Sequence, residues 1–294
     1  MVILGQSVTL SRGRIVPQQL LPADLRLIID DRGPGPRNMA VDSALLQSLD
    51  EDSRPTLRLY GFAPACLSLG RFQPISDIAE NALGSAGVDL VRRPTGGTAV
   101  LHDDEVTYAM VLTRRHVHPF TKRGAYRLCA DLLLPLLAAL GVEASAASAA
   151  GHPAVRASDR AGGGDCFGTT SEFEIVAGGH KLVGSAQTTA RGGSLQHGSI
   201  PLNASYRRIR QLLSVPQPEL VGPGYELGPT SIEEAGGGCW TFVQARDALA
   251  SGAIAQTGMQ PERLRPEEEA LAVQLEAERY RCEEWTRQLS AAVS

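Results

Sequence analysis

Apolar and polar positions alternate from Leu25 to Ile29, the period of a strand with one buried face. After a Gly-Pro-Gly-Pro turn at residues 33–36, Asn38 stands as a helix N-cap. Met39, Asp42, Leu45, Leu46 and Leu49 follow it at helical spacing. Short strands are predicted at Thr56–Tyr60 and Cys66–Leu69, a helix over 74–87, and strands at Val88–Arg92 and Val106–Leu112. Residues 123–141 read as a helix bent at Pro135, because an internal proline removes one hydrogen bond and crowds the preceding turn. Residues 143–164 are Ala/Ser/Gly-rich and read as a surface loop.

The pattern then changes to a three-stranded meander: Glu172–Val176, Lys181–Ala186 and Ser194–Leu202. Ala177-Gly178-Gly179-His180 is a tight turn, since paired glycines accept the positive φ such turns need. Residues 188–193 form a looser one. Gly184 and Gly198 fall inside strands, where glycine often marks the close approach of a ligand or another backbone. Beyond the meander come a helix at Ser205–Leu213, a Pro/Gly-rich linker at 216–229, and helices at 240–252 and 266–290. Residues 1–23 show no clear period and read as an extended leader. The expected division is therefore leader 1–23, main domain 24–214, and linker with a small helical appendage 215–294.

Composition adds exclusions. A chain of 294 residues that is 43% hydrophobic builds an ordinary core. Its formal net charge of −4 gives no electrostatic case for nucleic acid. Arg207, Arg208 and Arg210 read as the solvated face of a helix. The most apolar run, Leu128–Val142, is too short to span a bilayer and holds Asp131 and Pro135, so no membrane association is expected. Five cysteines, Cys66, Cys129, Cys166, Cys239 and Cys282, are odd in number and contain no CxxC pair. That spacing argues against a zinc cluster or a disulfide framework and for a reducing, cytoplasmic setting. His102 and His197 could ligate a metal, but no third ligand stands at diagnostic spacing, so neither a metal nor a cofactor is expected.

Two stretches carry candidate chemistry. Arg92-Arg93-Pro94-Thr95-Gly96-Gly97 sets a Gly-Gly loop, with its exposed N–H groups, beside two guanidinium donors. That combination suits a carboxylate, a phosphate or a thioester carbonyl, although such loops are commonly just turns. Cys166 sits among Gly162–Gly164, Asp165 and Gly168, a polar setting unlike a packing cysteine. The other four lie in apolar or helical contexts and read as packing residues.

Together these residues resemble a known superfamily. The Arg92–Asp103 block, Lys181-Leu-Val-Gly184-Ser185-Ala186-Gln187 and Gln196-His197-Gly198-Ser199 look like the three signatures of the lipoate/biotin protein ligases and transferases. Cys166-Phe-x-x-x-Ser-x-x-Glu, Asn38-Met39-Ala40-x-Asp42 and Tyr280-x-x-x-Glu284-Trp285 narrow the likeness to the cysteine-dependent octanoyltransferases. Thr98 stands where lipoate ligases carry a third glycine, and Gly168-Thr169-Thr170 departs from the usual Asp-Ala-Pro. The resemblance implies an α+β fold, a mixed β-sheet core flanked by helices. It implies transfer of an octanoyl group from octanoyl-acyl carrier protein to a lysine of a lipoyl-carrier domain, either glycine cleavage H protein or a 2-oxoacid dehydrogenase E2. It implies Cys166 as nucleophile and Lys181 as its catalytic partner. Arg92, Arg93, Gly96, Gly97, His102, Gly184, Ser185, Ala186, His197 and Gly198 would then be substrate-binding. An ATP-dependent lipoate ligase, an amidotransferase between carrier proteins, and a binding protein without turnover are the competing readings.

Overall fold

The computed structural model describes residues 24–147, 173–190, 192–214 and 228–287. The expected leader 1–23, Cys166 with most of the surface loop expected over 143–164, and most of the expected linker lie outside these residues. In chain order the elements begin with β1 (Arg26–Gly33), α1 (Gly35–Gln47), β2 (Thr56–Phe62) and β3 (Cys66–Leu69). Then come α2 (Glu80–Ala86), β4 (Asp89–Arg92), β5 (Val100–His102), β6 (Glu105–Thr113), α3 (Lys122–Leu137) and β7 (Ala144–Ala146). The remainder are β8 (Ile175–Ala177), β9 (His180–Lys181), β10 (Gly184–Ala190), β11 (Gly193–Pro201), α4 (Phe242–Thr257), β12 (Pro261–Glu262), α5 (Pro266–Leu275) and α6 (Glu283–Arg287).

Among the described residues, the main sheet runs β10-β11-β6-β2-β1-β12. β1 pairs parallel with β2 and β12, and the remaining ladders are antiparallel. Every residue of β2 and β6 is buried, because helices cover both faces of the sheet. Leu57, Leu59 and Met110 face a cluster built with α3 and α4, through Leu133, Leu136, Phe242 and Leu249. Tyr60, Ala109 and Val111 face the opposite cluster, with Met39 and Leu45 of α1 and Ala272 of α5. A smaller sheet, β4-β3-β5, packs beside the main one, and β7-β8-β9 forms a third.

Several local expectations change. Asn38 does not cap α1. The helix begins at Gly35 with proline in its first turn, where no N–H is needed, and the Asn38 amide instead donates to Gly61 O at 2.8 Å. The helix expected over 74–87 is a 3₁₀ turn, Ile75–Asp77, followed by α2. The helix expected at 205–213 is 3₁₀ throughout Ala204–Gln211. The meander divides between two sheets: β8 and β9 join β7, while β10 and β11 join the main sheet. The break falls at Leu182-Val183, two consecutive side chains each 1% exposed. Both of their N–H groups donate to Ile175 O. The looser turn is shorter than expected, since β10 pairs through Ala190↔Gly193.

The helix expected at 240–252 is present as α4, while the one expected over 266–290 is divided into α5, a π-helical turn at Glu276–Tyr280 and α6; these pack into the same two clusters, not beyond them. Arg26 of β1 donates through both Nη atoms to the Glu268 carboxylate of α5, at 2.7 and 2.8 Å, with both side chains buried. Arg92, fully buried, donates to Gly70 O and Gln73 O and, through Nε and Nη2, to Thr286 O at 3.0 and 2.8 Å. It therefore clamps α6 to the β4 sheet. Hydrogen bonds from a charged donor are worth about 1.5–3 kcal/mol each. Arg92→Ala is expected to cost about 3 kcal/mol or more and to open 283–287 to limited proteolysis; urea unfolding and peptide mapping would check both.

Candidate active site

The ends of β5, β9, β10 and β11 converge on one cavity with the loop after β4. Arg93, His102, Lys181, Gly184, Ser185, Ala186, His197 and Gly198 all line it, with Met39 and Tyr60 from the helix side. Arg92 does not: neighbouring residues leave a strand on opposite sides, and its guanidinium goes to α6. Gly96 and Gly97 stand behind Arg93 and do not line the cavity. Gly97 has φ 97°, a left-handed backbone that favours glycine. Its carbonyl presses against Gly70, where a Cβ would sit 1.6 Å from Gly97 O. Gly198 also marks a close approach: a Cβ there would meet Gly184 O at 2.7 Å and Ser185 Oγ at 2.8 Å.

Arg93 is the centre of a buried polar network. Its Nη2 donates to Gly96 O and Thr98 O, each at 2.7 Å, which folds the Gly-Gly loop around the guanidinium. From there two similar chains diverge. In one, Arg93 Nε donates to Thr95 Oγ1 at 3.1 Å, Thr95 meets His197 Nε2 at 2.7 Å, and His197 Nδ1 meets Asp42 Oδ2 at 2.8 Å. In the other, Arg93 Nη1 reaches Ser68 Oγ at 3.3 Å, Ser68 meets His102 Nε2 at 2.8 Å, and His102 Nδ1 meets Glu105 Oε1 at 2.7 Å. A carboxylate only accepts, so each Nδ1 donates and each Nε2 accepts from a hydroxyl. Thr107 and Ser199 hydroxyls also donate to Glu105, while Tyr60 and Arg58 donate to Asp42.

Burial would raise the Asp42 carboxyl. The His197 hydrogen bond, the Arg58 charge and the Tyr60 hydroxyl outweigh it and hold Asp42 below its ordinary range. Burial likewise dominates at His197 and pushes the imidazole down, against the pull of Asp42. Below the reference value of 6.5, the unfolded chain takes up a proton that folded His197 refuses. Stability is therefore lost as pH falls from about 6.5 toward the folded value. Burial shifts His116 the same way. The unfolding midpoint should thus fall between about pH 7 and 5, and fall less steeply in His197→Gln; thermal melts across that range would check the slope.

Lys181 reaches the cavity from the small sheet. Its backbone pairs with Val176 on one side, while its N–H donates to Gly228 O at 3.2 Å on the other. The side chain is 4% exposed, and Nζ donates to Glu174 Oε1 at 2.7 Å. A second cavity adjoins the first, lined by Leu101, Leu182, Tyr206 and Ile209; Val100, Lys181, Gly184 and Ser199 line both. Among the other cysteines, Cys66 and Cys129 are buried, as expected of packing residues, but Cys239 is exposed, with its thiol 3.1 Å from Glu233 Oε1. Among the described residues no three side chains are grouped to hold a metal, and no helix is long and apolar enough to cross a membrane.

Sequence reasoning did not single out Glu105 or Ser68 as parts of this site; Thr95 and Glu174 stood inside the Arg92–Asp103 block and at the end of Cys166-Phe-x-x-x-Ser-x-x-Glu, but were given no role there. Glu105 stands three residues after His102, and Asp42 is an acid at a buried helical position. Those were the available signals. Ser68 carries none.

The chain belongs to the lipoyl protein ligase A/B catalytic domain family, whose profile matches residues 34–250. It is 35% identical to octanoyltransferase LipM of Symbiobacterium thermophilum over 267 residues, covering 88% of this chain and 97% of the relative. It is 36% identical to octanoyltransferase LipM of Kyrpidia tusciae, with the same coverage. These relatives make it an acyltransferase. The fold matches a chain from a structural analysis of a bipartite lipoate protein ligase and its E2 lipoyl domain from Thermoplasma acidophilum, at a TM-score of 0.67 and 19% identity, covering 92% of this chain and 98% of that one.

Proposed function

We propose that this enzyme moves an octanoyl group from octanoyl-acyl carrier protein, through a thioester on Cys166, to a lysine of a lipoyl-carrier domain, in the cytoplasm. The acceptor would be glycine cleavage H protein or the E2 lipoyl domain of a 2-oxoacid dehydrogenase, and the product the octanoylated domain on which lipoate is built. The observation that carries the reading is a buried lysine at the wall shared by two adjoining cavities, in a chain related to octanoyltransferases over most of its length.

The chemistry is two acyl transfers. In the first, the Cys166 thiolate attacks the donor thioester carbonyl and expels the carrier thiolate, which takes up a proton. In the second, the acceptor amine attacks the new thioester, the C–S bond breaks, and the proton lost by nitrogen ends on sulfur. An unperturbed cysteine is only a few per cent thiolate at neutral pH. The Lys181 ammonium favours the thiolate and can hand its proton to a leaving sulfur. Backbone N–H groups facing the cavity would stabilise the developing oxyanion, about 3 kcal/mol per donor.

A thioester is already activated, so no adenylate has to form. The test is transfer from octanoyl-acyl carrier protein to an isolated lipoyl domain without ATP or magnesium, compared with free octanoate or lipoate plus both. Faster modification from the free acid with ATP would establish a ligase instead.

A further inference from the structure

Glu174 takes no part in the mechanism above, yet it is only 4% exposed and its carboxylate faces the ammonium of Lys181, a residue that lines both cavities. The residue before it is unusual. Phe173 has φ 76°, a left-handed backbone that a bulky side chain rarely adopts. Such a conformation persists only where the surroundings over-determine it, and here they do. Phe173 N–H donates to Ala147 O at 3.1 Å, and Ala147 N–H returns to Glu174 O at 2.7 Å. The Phe173 ring packs against the main core, with the Arg123 and Arg127 guanidinium groups 5.7 and 6.0 Å from its centre. The twist turns the chain into β8 with Glu174 directed inward. Lys181 arrives from β9, its own backbone tied on both edges, so the two side chains meet at a fixed point.

We propose that Glu174 is a positioning residue for acyl transfer: its carboxylate anchors the Lys181 ammonium where the two cavities meet, and the left-handed Phe173 backbone aims it there. The inference rests on the role given to Lys181 above. It also separates two jobs that a lone lysine would combine. Lys181 offers charge and protons to the reacting groups, while Glu174 keeps that amine from swinging into either cavity and supplies the counter-charge a buried ammonium needs.

The experiment compares wild type with Glu174→Gln, Lys181→Met and the double variant, by steady-state transfer from octanoyl-acyl carrier protein and by the Nζ resonance of Lys181 in ¹⁵N-lysine-labelled protein. Lys181→Met identifies that resonance by its loss. Glu174→Gln should lower kcat about a hundredfold, the scale of a misplaced reacting group, with KM changed less than about twofold. It should also shift the Nζ resonance. In the double variant, which removes both charges and so guards against misfolding, transfer should match Lys181→Met within about twofold. An unmoved Nζ resonance, near-wild-type kcat in Glu174→Gln, or an equal further loss in the Lys181→Met background would overturn the proposal. A wild-type protein that moves no octanoyl group while the resonance still shifts would overturn the transfer reading and leave the pairing standing.

Discussion

With alanine in place of Cys166, octanoyl transfer should fall by about 10³-fold or more, because removing a nucleophile leaves only binding and the oxyanion donors to act. Wild-type protein incubated with octanoyl-acyl carrier protein, and no acceptor, should gain one octanoyl group that maps to Cys166. The structure sharpens this expectation by what it does to three of the other four thiols. Burial pushes the Cys66 thiol well above its ordinary value, with Asp89 and Glu105 adding to it, and burial alone raises Cys129. Cys239 is exposed, but its hydrogen bond to the Glu233 carboxylate also favours the protonated thiol. Each is a poor thiolate and so a poor nucleophile. Intact-mass and peptide mass spectrometry decide the matter. An adduct on another cysteine, or transfer that proceeds with no adduct, would remove the covalent step.

Replacing Lys181 should damage both chemistry and fold, and the two effects can be separated. Lys181→Ala leaves the Glu174 carboxylate buried without its ammonium. Breaking one side of a buried ion pair costs about 3–5 kcal/mol. Transfer should fall in parallel, and Cys166 should need a higher pH to react with iodoacetamide, because the nearby positive charge is gone. Lys181→Arg keeps a charge for Glu174 and should lose less stability. It should still fail in transfer, since a guanidinium stays protonated and its planar head is too bulky for a side chain 4% exposed. The measurements are urea unfolding, transfer rates, and the pH dependence of iodoacetamide labelling for all three proteins. Near-wild-type transfer by Lys181→Ala would exclude this residue from the mechanism. Lost transfer with an unchanged labelling profile would place its action on the acyl group or the amine, not on the thiol.

Much of the architecture is written in local pattern. The alternation at Leu25–Ile29, the apolar run at Val106–Leu112 and the spacing from Met39 to Leu46 each announce an element, and β1, β6 and α1 stand there, although β6 and residues 38–46 of α1 are buried all round and not on one face alone. Glycines carried a second kind of local information. Gly184 and Gly198 inside strands signalled a close approach, and β10 and β11 do close on each other there. Proline and backbone competition were harder to read. Gly35-Pro36 opened α1 earlier than Asn38 would have, and the polar run Ala204–Gln211 settled as 3₁₀, not α.

Arg92 and Arg93 mark the boundary between the two sources of information. By composition the pair is one feature, two guanidinium donors beside a glycine loop. In space one clamps α6 across 194 positions of sequence, and the other organises the cavity. Likewise the sequence by itself determined that Lys181, His102 and His197 belong to recognisable motifs. Only the tertiary structure decided that His197 leans on Asp42, 155 positions away, that His102 leans on Glu105, and that Lys181 is held by Glu174. The reason is physical. Periodicity records whether a side chain faces water or the core, since every neighbour shares that same boundary. A buried polar group must also find a partner of complementary charge and direction, and packing alone brings that partner within reach.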